Sequence, residues 1–396
     1  MQDTPKGNRI HIAFLGRRNA GKSSIINAIS NQQVSIVSNV AGTTTDPVYK
    51  AMELFPIGPI MLIDTAGLDD EGYIGNLRIE KTKEIMNKTD IAVIAIDCKN
   101  ENFEYEMYLK EKLSKRKIPT IIALNKIDKV ANLDEAIVRA RKQFDNIVSI
   151  SALRRENIDK LKEKIIEQVP SNNETTLLEG IVNKKDLVLL ITPQDLQAPK
   201  GRLILPQVQV LRDILDKGAM AMVLKDTELQ EGLKNLYKKP DLVITDSQIF
   251  NKVKDIIPRD IKLTSFSVLM ARYKGDIRLL IEGAKSINNL KPGDNILISE
   301  ACTHHSLKGD IAKEKIPNLL KKKIGGEVNI DFSSGGDFTK NIEKYKLIIH
   351  CGGCMLNQKQ MINRLNKANE KNIPITNFGV VLAYLNGILD RVSEVF

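Results

Sequence analysis

The chain has 396 residues, of which 42% are hydrophobic and 27% are charged, and its formal net charge at pH 7 is +10. This length and composition exclude an intrinsically disordered chain and predict two or three packed domains. The sequence has no apolar run of about 18 residues and begins with a polar segment, so we expect a cytoplasmic protein without membrane contact.

The first predicted elements are a buried strand at 11–15 and a helix at 24–30. Between them, G-R-R-N-A-G-K-S matches G-x-x-x-x-G-K-S in its strand–loop–helix context. In this motif backbone N–H groups converge on phosphates at a helix N-terminus, the lysine reaches the terminal phosphates, and the serine ligates Mg²⁺. The predicted nucleotide-binding residues are Gly16, Asn19, Ala20, Gly21, Lys22, Ser23 and Ser24, with Ser23 on Mg²⁺.

A second motif follows the strand predicted at 60–63, where the chain reads D-T-A-G. Its aspartate, Asp64, is expected near the metal, and the N–H of Gly67 is expected where the γ-phosphate would lie. The apolar strand predicted at 91–97 is followed by Cys98, which we interpret as a small buried residue.

Two further motifs identify the base. After the strand predicted at 120–124, the chain reads N-K-I-D, whose carboxylate can accept from the N1–H and 2-amino groups of guanine, a donor pair that adenine lacks. A second loop follows the strand predicted at 147–150 and is expected to close on the base. The order of the motifs therefore predicts GTP or GDP, bound at the base by Asn125, Lys126, Asp128, Ser151, Ala152 and Leu153.

The amino-terminal part resembles the translation-factor-like GTPases of the Era and TrmE type, whose Gly-Thr-Thr switch corresponds to G-T-T-T-D here. The resemblance implies that Thr44 contacts Mg²⁺, with Thr43 beside it, and that Asn19 helps to hold a K⁺ that stimulates hydrolysis. Ras-like enzymes have a water-orienting glutamine where this chain has Leu68. A structural loop hydrogen bond is the alternative role for Asn19. The predicted catalytic residues are Lys22, Thr44, Asp64 and Gly67.

The rest of the chain predicts two smaller α/β domains with mainly parallel sheets, after a linker at 170–176. Predicted strands alternate with helices, as in parallel sheets. The predicted strands are 186–191, 219–224, 241–245, 261–266, 295–299, 327–332, 345–350 and 373–378. The predicted helices are 157–168, 208–217, 228–238 and 273–290, and a loop at 192–206 is interpreted as a self-association surface. We expect domains at 1–170, 177–266 and 267–396.

Three of the four cysteines lie in two short clusters, C-T-H-H beginning at Cys302 and H-C-G-G-C beginning at His350. Each cluster begins at or just beyond the end of a predicted strand, the edge where ligands bind in open α/β sheets, so we expect the clusters to meet in space. Thiolates beside imidazoles suit an iron–sulfur cluster or a closed zinc site, and a disulfide between the last two cysteines is a third alternative. The candidate ligands are Cys302, Cys351 and Cys354, with His304 and His350 beside them; His305 has no assigned role.

The order of a GTPase, a middle domain and C-x-H…H-C-x-x-C resembles the FeFe-hydrogenase maturation GTPases along essentially the whole chain. The resemblance implies a homodimer that binds a four-iron four-sulfur cluster through the three motif cysteines. It also implies a transient two-iron precursor, received from two radical-SAM maturases and delivered to the hydrogenase apoprotein. The middle domain would mediate dimerisation, and the third domain would bind the cluster.

The alternative function is an RNA-directed GTPase, for ribosome assembly or tRNA modification, with a structural zinc site. It would use the net charge of +10. The lysines are scattered, however, and aromatic residues make up only 5% of the chain, so a nucleic-acid partner is not expected.

Overall fold

A computed structural model describes residues 7, 9–30, 47–65, 75–169, 176–193, 203–301, 310–335, 341–353 and 356–396, leaving aside the side chains of 75–81. The chain divides into two compact units, Met1–Asn172 and Asn173–Phe396. In the described part of the chain, no helix combines the length and the apolar character needed to cross a membrane.

The first unit is a six-stranded sheet with helices on both faces, in the strand order β2-β3-β1-β4-β5-β6. All pairs are parallel except β2 with β3. Its strands are β1 (Ile10–Leu15), β2 (Val48–Leu54), β3 (Gly58–Asp64), β4 (Ile91–Asp97), β5 (Thr120–Asn125) and β6 (Ile147–Ser149). Its helices are α1 (Lys22–Ser30), α2 (Gly75–Lys88), α3 (Glu104–Lys115), α4 (Leu133–Arg141) and α5 (Ile158–Gln168).

Strands β1, β4 and β5 lie in the middle of this sheet and are buried on both faces, which explains their nearly continuous apolar sequences. Side chains alternate between two cores, one on each face of the sheet: Phe14 lies in one and Ala13 in the other. Cys98 is buried, as predicted. Strand β2 was not predicted, because it is an edge strand whose residues are mostly exposed and lack a clear apolar period.

The second unit contains two four-stranded sheets, in the orders β10-β9-β7-β8 and β12-β11-β13-β14. All pairs in both sheets are parallel, which confirms the predicted α/β class with mainly parallel sheets. The strands are β7 (Leu187–Ile191), β8 (Met220–Leu224), β9 (Leu242–Thr245), β10 (Lys262–Ser265), β11 (Asn295–Glu300), β12 (Asn329–Ser334), β13 (Leu347–His350) and β14 (Ile375–Asn377). The helices are α6 (Leu205–Asp216), α7 (Leu229–Lys234), α8 (Phe250–Ile256), α9 (Phe266–Lys274), α10 (Ile277–Lys285), α11 (Ile316–Ile324), α12 (Gln358–Glu370), α13 (Phe378–Leu385) and α14 (Leu389–Ser393).

One hydrophobic core joins the two sheets of the second unit. Leu189 and Val243 from the first sheet lie in the same buried cluster as Leu297 and Ile348 from the second. Helix α9 contributes Val268 to this cluster. The two sheets of this unit are therefore packed as one body through shared apolar contacts.

The helix predicted at 273–290 is confirmed from Ile277 onward, by α10 and a 3₁₀ helix at Ser286–Asn289, but its first residues belong to a separate helix. Helix α9 ends at Lys274, and Gly275 has an extended backbone with φ of −150°. Asp276 then begins α10, and its carboxylate accepts from the backbone N–H groups of Arg278 and Leu279. The helix predicted at 228–238 is likewise shorter than expected and ends at Lys234.

Candidate functional site

The phosphate loop of the first unit requires glycine at two positions because the backbone passes close to other groups. Gly16 has φ of +132°, and a Cβ there would lie 2.3 Å from the carbonyl oxygen of Ala95. Gly21 has φ of +93°, and a Cβ there would lie 2.2 Å from Nδ2 of Asn125. Both positions therefore exclude any larger residue without a shift of the loop.

Lys22 begins α1 and is only 5% exposed. Its Nζ donates to the carbonyl oxygens of Gly16 at 2.6 Å and Arg17 at 2.9 Å, which holds the ammonium inside the loop. Ala20 is buried, whereas Asn19 is exposed and has a left-handed backbone with φ of +62°. Of the two predicted serines, Ser23 is half-buried and Ser24 is exposed.

Asp64 ends β3 beside the strand that leads into the phosphate loop. It is buried and pairs in register with Phe14 of β1. The next residue, Thr65, donates from its hydroxyl to the carbonyl of Phe14 at 2.6 Å, which ties the two strand ends together. Thr43, Thr44 and Gly67, the other predicted residues of this region, lie outside the described residues.

Asn125 joins the base-reading loop to the rest of the site. Its Nδ2 donates to the carbonyl of Ala20 at 3.0 Å, and its Oδ1 accepts from the N–H of Ala152 at 3.1 Å. The asparagine is buried, so both of its partners would lose a buried hydrogen bond if it were removed. The structure thus brings three separate sequence motifs into direct contact.

Asp128 is the predicted guanine-binding carboxylate. Its Oδ1 accepts from the hydroxyl of Ser151 at 2.5 Å, and this bond lowers the pKa of Asp128. The same hydroxyl oxygen accepts from the N–H of Arg154 at 3.1 Å. An ionised carboxylate at this position is the form that accepts hydrogen bonds from guanine.

A cavity of about 350 Å³ lies against this loop and is lined by Asn125, Ala152 and Asn27 of α1. Asp128 and Leu153 also line it, so most of the predicted base-binding residues surround one space.

Sequence reasoning missed Asp97, whose Oδ2 accepts from Nζ of Lys126 at 2.7 Å. Burial is the largest single effect and favours a raised pKa of Asp97, but the hydrogen bond from Lys126, the N–H of Lys99 and the charges of Lys126 and Lys129 together lower this pKa. The sequence feature that could have pointed to Asp97 is its position at the carboxyl end of the central strand β4.

In the second unit, the two cysteine motifs follow neighbouring strands. Strands β11 and β13 are parallel partners, with Ser299 opposite His350. The N–H of Cys351 donates to the carbonyl of Ser299 at 2.8 Å. The N–H of Ala301 donates to Sγ of Cys351 at 3.1 Å. Residue 301 immediately precedes Cys302 in the sequence, so the chain segment that leads into the first motif touches a cysteine of the second.

His350 is fully buried at the end of β13. Its Nδ1 donates to the carbonyl of Cys351 at 2.6 Å, and its Nε2 contacts Nη1 of Arg364. Burial, followed by the charge of Arg364, lowers the pKa of His350 to about 3, so the ring is neutral. Both ring nitrogens have protein partners, and a metal would have to displace one of them.

Cys302, His304 and Cys354 lie outside the described residues. Within the described ranges, no group of three His, Cys, Asp or Glu side chains forms a metal site. The one predicted thiol ligand that is described, Cys351, accepts a backbone hydrogen bond, the kind of contact that sulfur ligands of iron–sulfur clusters accept. The thiol of Cys351 therefore has the chemistry of a soft metal ligand.

The features of the first unit define a P-loop GTPase domain, and residues 11–126 match the family model of the 50S ribosome-binding GTPases. Residues 177–275 match the dimerization domain of hydrogen maturase F, and residues 278–395 match its tetramerization domain. These two models together cover more than half of the chain, which belongs to the hydrogen maturase F (HydF) family.

Curated relatives match the GTPase part of the chain. GTPase Der of Sulfurimonas denitrificans is 34% identical over 176 residues, covering 42% of this chain and 35% of that protein. The tRNA modification GTPase MnmE of Clostridioides difficile is 32% identical over 175 residues, covering 43% of this chain and 38% of that protein. The chain thus spans little more than a third of these relatives. Among solved structures, a probable GTP-binding protein engB is 25% identical with a TM-score of 0.34, covering 40% of this chain and 98% of that one.

Proposed function

We propose that this chain is a GTP-hydrolysing scaffold that binds a four-iron four-sulfur cluster and assembles or transfers a two-iron subcluster precursor to FeFe-hydrogenase. One observation carries the proposal: the hydrogen bond between the N–H of Ala301 and Sγ of Cys351, which places the end of the strand leading into the first cysteine motif against a cysteine of the second. The match of residues 177–395 to the two hydrogen maturase F domains supports the same function.

In the GTPase reaction, Lys22 would exchange its carbonyl partners in the loop for the terminal phosphates. Ser23 and Thr44 would ligate Mg²⁺, with Asp64 beside the metal. The N–H of Gly67 would contact the γ-phosphate. The buried position of Asp64 beside the strand that enters the phosphate loop supports its role.

Stimulation by K⁺ is a separate part of the proposal. The chain has Leu68 where a Ras-like enzyme has its water-orienting glutamine, and K⁺ would supply the positive charge at the phosphates that an arginine finger supplies in other GTPases. Asn19 is exposed in the phosphate loop, and its side chain would hold the cation beside the nucleotide. Hydrolysis that is equally fast in Na⁺ and K⁺ would contradict this part.

For the cluster we propose Cys302, Cys351 and Cys354 as the three thiolate ligands. With three thiolates, a cubane cluster would supply one iron position that is open to exchange. His304 and His350 are candidates for this position. His350 would first have to give up its contact with Arg364 or its hydrogen bond to the Cys351 carbonyl.

The proposed partners are the FeFe-hydrogenase apoprotein, two radical-SAM maturases and a second copy of this chain. The dimerization and tetramerization domain models support self-association. The loop predicted as a self-association surface lies mostly outside the described residues, at 194–202. We place the protein in the cytoplasm, with nucleotide binding able to alter partner contacts through the switch segments.

The test is iron, zinc and acid-labile sulfide analysis, with an absorption spectrum, on protein purified without oxygen. We expect brown protein with about four iron and four sulfide per chain, as for a single cubane cluster. The variants Cys302→Ser, Cys351→Ser and Cys354→Ser should lose the cluster and keep GTP hydrolysis. Colourless protein with about one zinc, together with salt-dependent RNA binding, would instead support an RNA-directed GTPase.

A further inference from the structure

Lys274, the last residue of α9, is buried although lysine rarely is. It is 2% exposed. Its Nζ donates to the carbonyl oxygens of Gly353 at 2.8 Å and Leu356 at 3.0 Å. Because Gly353 and Leu356 flank Cys354 in the sequence, this one side chain anchors the backbone on both sides of a proposed cluster ligand.

The same segment is held by a second backbone contact. The N–H of Leu356 donates to the carbonyl of Gly353 at 3.0 Å, so this carbonyl accepts from both the backbone and the lysine. Gly353 is in the left-handed region with φ of +62°, and a Cβ there would lie 2.4 Å from Cε of Met361. The carbonyl direction at Gly353 is therefore closely determined by its surroundings.

The family models assign helix α9 to a different domain from the segment that Lys274 holds, whereas the boundary predicted from sequence, between 266 and 267, grouped the two together. The dimerization model ends at residue 275, and the tetramerization model begins at residue 278. Phe266 and Leu269 of α9 pack into a core of the sheet β10-β9-β7-β8. Near Lys274, the carbonyl of Tyr273 accepts from Nε2 of Gln358 at 2.9 Å, a second link between the domains.

Burying an ammonium group removes it from water, and a methionine of similar length could fill the same space without that cost. A negatively charged cluster bound nearby would offset the cost of burying this cation. Arg364 is a second buried cation near this motif, in contact with His350 and donating to the carbonyl of Gly335 at 2.7 Å. Among the described residues, two buried cations, Lys274 and Arg364, therefore lie beside the H-C-G-G-C motif.

We propose that Lys274 is a positioning residue of the cluster site, supplied by the dimerisation domain to the loop of the cluster-binding domain. Its hydrogen bonds fix the carbonyls of Gly353 and Leu356, and its charge stabilises the reduced cluster. The cluster site is then complete only when both domains are present. This inference rests on the proposed ligand role of Cys351 and Cys354.

The experiment uses the full chain, reconstituted with iron and sulfide without oxygen. Lys274→Met removes both the donor and the charge, whereas Lys274→Gln keeps a donor and removes the charge. Lys285→Gln, at an exposed lysine of the next helix, is the matched control. The measurements are iron release to a chelator, the reduction potential of the cluster, and thermal unfolding of the protein before reconstitution.

We expect Lys274→Met to release iron on the order of tenfold faster, as when other outer-shell partners of metal ligands are removed. Lys274→Gln should release iron at an intermediate rate. Both should have a more negative reduction potential than the unchanged chain, because both lose the positive charge. Lys285→Gln should match the unchanged chain in every measurement.

Unchanged iron release and unchanged potential in both Lys274 variants would overturn the inference. Failure of both variants to fold would also overturn it, because Lys274 would then serve the fold of the unit and not the site. Cys351→Ser is tested in parallel to separate the two proposals. If Cys351→Ser still loads a normal cluster, the proposed ligand set is wrong, whatever the lysine variants do.

Discussion

The side-chain amide of Asn125 donates to the carbonyl of Ala20 at 3.0 Å, across 105 positions of the chain. This bond connects the loop that reads the base to the loop that holds the phosphates. A shift of either loop would therefore stretch or break this hydrogen bond to the other.

Replacement of Asn125 by alanine should weaken both nucleotide binding and the fold. The carbonyl of Ala20 and the N–H of Ala152 would each lose a buried partner, at a cost of about 1–3 kcal/mol per group. We expect GDP affinity to fall at least about tenfold, as one lost buried hydrogen bond implies. Calorimetric titration and thermal unfolding would measure both effects.

The control for this variant is Asn100→Ala. The side-chain amide of Asn100 donates to the backbone carbonyl of Asn102, an exposed hydrogen bond within the loop that follows β4. The control variant should leave GDP affinity within about twofold, since exposed hydrogen bonds contribute little. Equal affinity in the two variants would show that the bridge from Asn125 does not support the site.

Glycine is required at position 21 because the backbone there lies close to the side chain of Asn125, and not only because its φ is positive. Gly21→Ala would place Cβ 2.2 Å from Nδ2 of Asn125. Gly58 has a similar φ of +82°, but a Cβ there would meet nothing within 4 Å. Gly58→Ala should therefore destabilise the fold by about 1–2 kcal/mol and keep nucleotide binding, whereas Gly21→Ala should lose nucleotide binding. Equal GDP affinity in both variants would contradict this distinction.

The hydroxyl of Ser151 should determine the lowest pH at which Asp128 still binds guanine. A carboxylate with a lowered pKa stays ionised where an ordinary aspartate protonates, so Asp128 binds guanine above its lowered pKa and loses it as the pH falls through that value. Ser151→Ala removes the main cause of the shift and raises the pKa of Asp128. GDP affinity should then begin to fall at a higher pH than in the unchanged chain.

Asp128→Asn tests the same carboxylate at neutral pH. The asparagine amide is uncharged and has one acceptor oxygen and one NH₂ donor, so it cannot accept from both guanine donors. The preference for GDP over ADP should therefore fall roughly tenfold to a hundredfold. Competition binding at several pH values would measure both variants. An unaltered preference for GDP would mean that another residue reads the base.

The backbone at Gly353 should matter more to cluster binding than the backbone at its neighbour. Gly353→Ala would strain a left-handed residue and bring Cβ 2.4 Å from Met361, whereas a Cβ at Gly352 meets nothing within 4 Å. We expect Gly353→Ala to bind less iron and sulfide than Gly352→Ala under identical reconstitution. Equal loading would indicate that the loop adapts without loss.

The nucleotide and cluster functions should separate by substitution, because their residues lie in different units. Lys22→Ala and Asp64→Ala should abolish GTP hydrolysis and leave iron and sulfide content unchanged. Loss of the cluster in both variants would show that the first unit is needed for cluster loading.

The elements that could be predicted from sequence were those with a strong local signal. Strands β1, β4 and β5 were predicted because strands buried on both faces need continuous apolar residues. Edge strand β2 was missed because exposed residues carry no such requirement. The break at Gly275 was missed because the apolar period continues across it, and the break becomes visible only through the cap made by Asp276.

The sequence by itself determined the class of nucleotide, the α/β class with mainly parallel sheets, and the cysteines that are candidates for a cluster, because each depends on a short motif or a local period. Only the tertiary structure decided that Ala301 touches Cys351 and that Asn125 links two loops. It also decided that a lysine of one domain holds the backbone of another. These contacts join residues far apart in the chain, and packing of the sheets, not local spacing, brings them together.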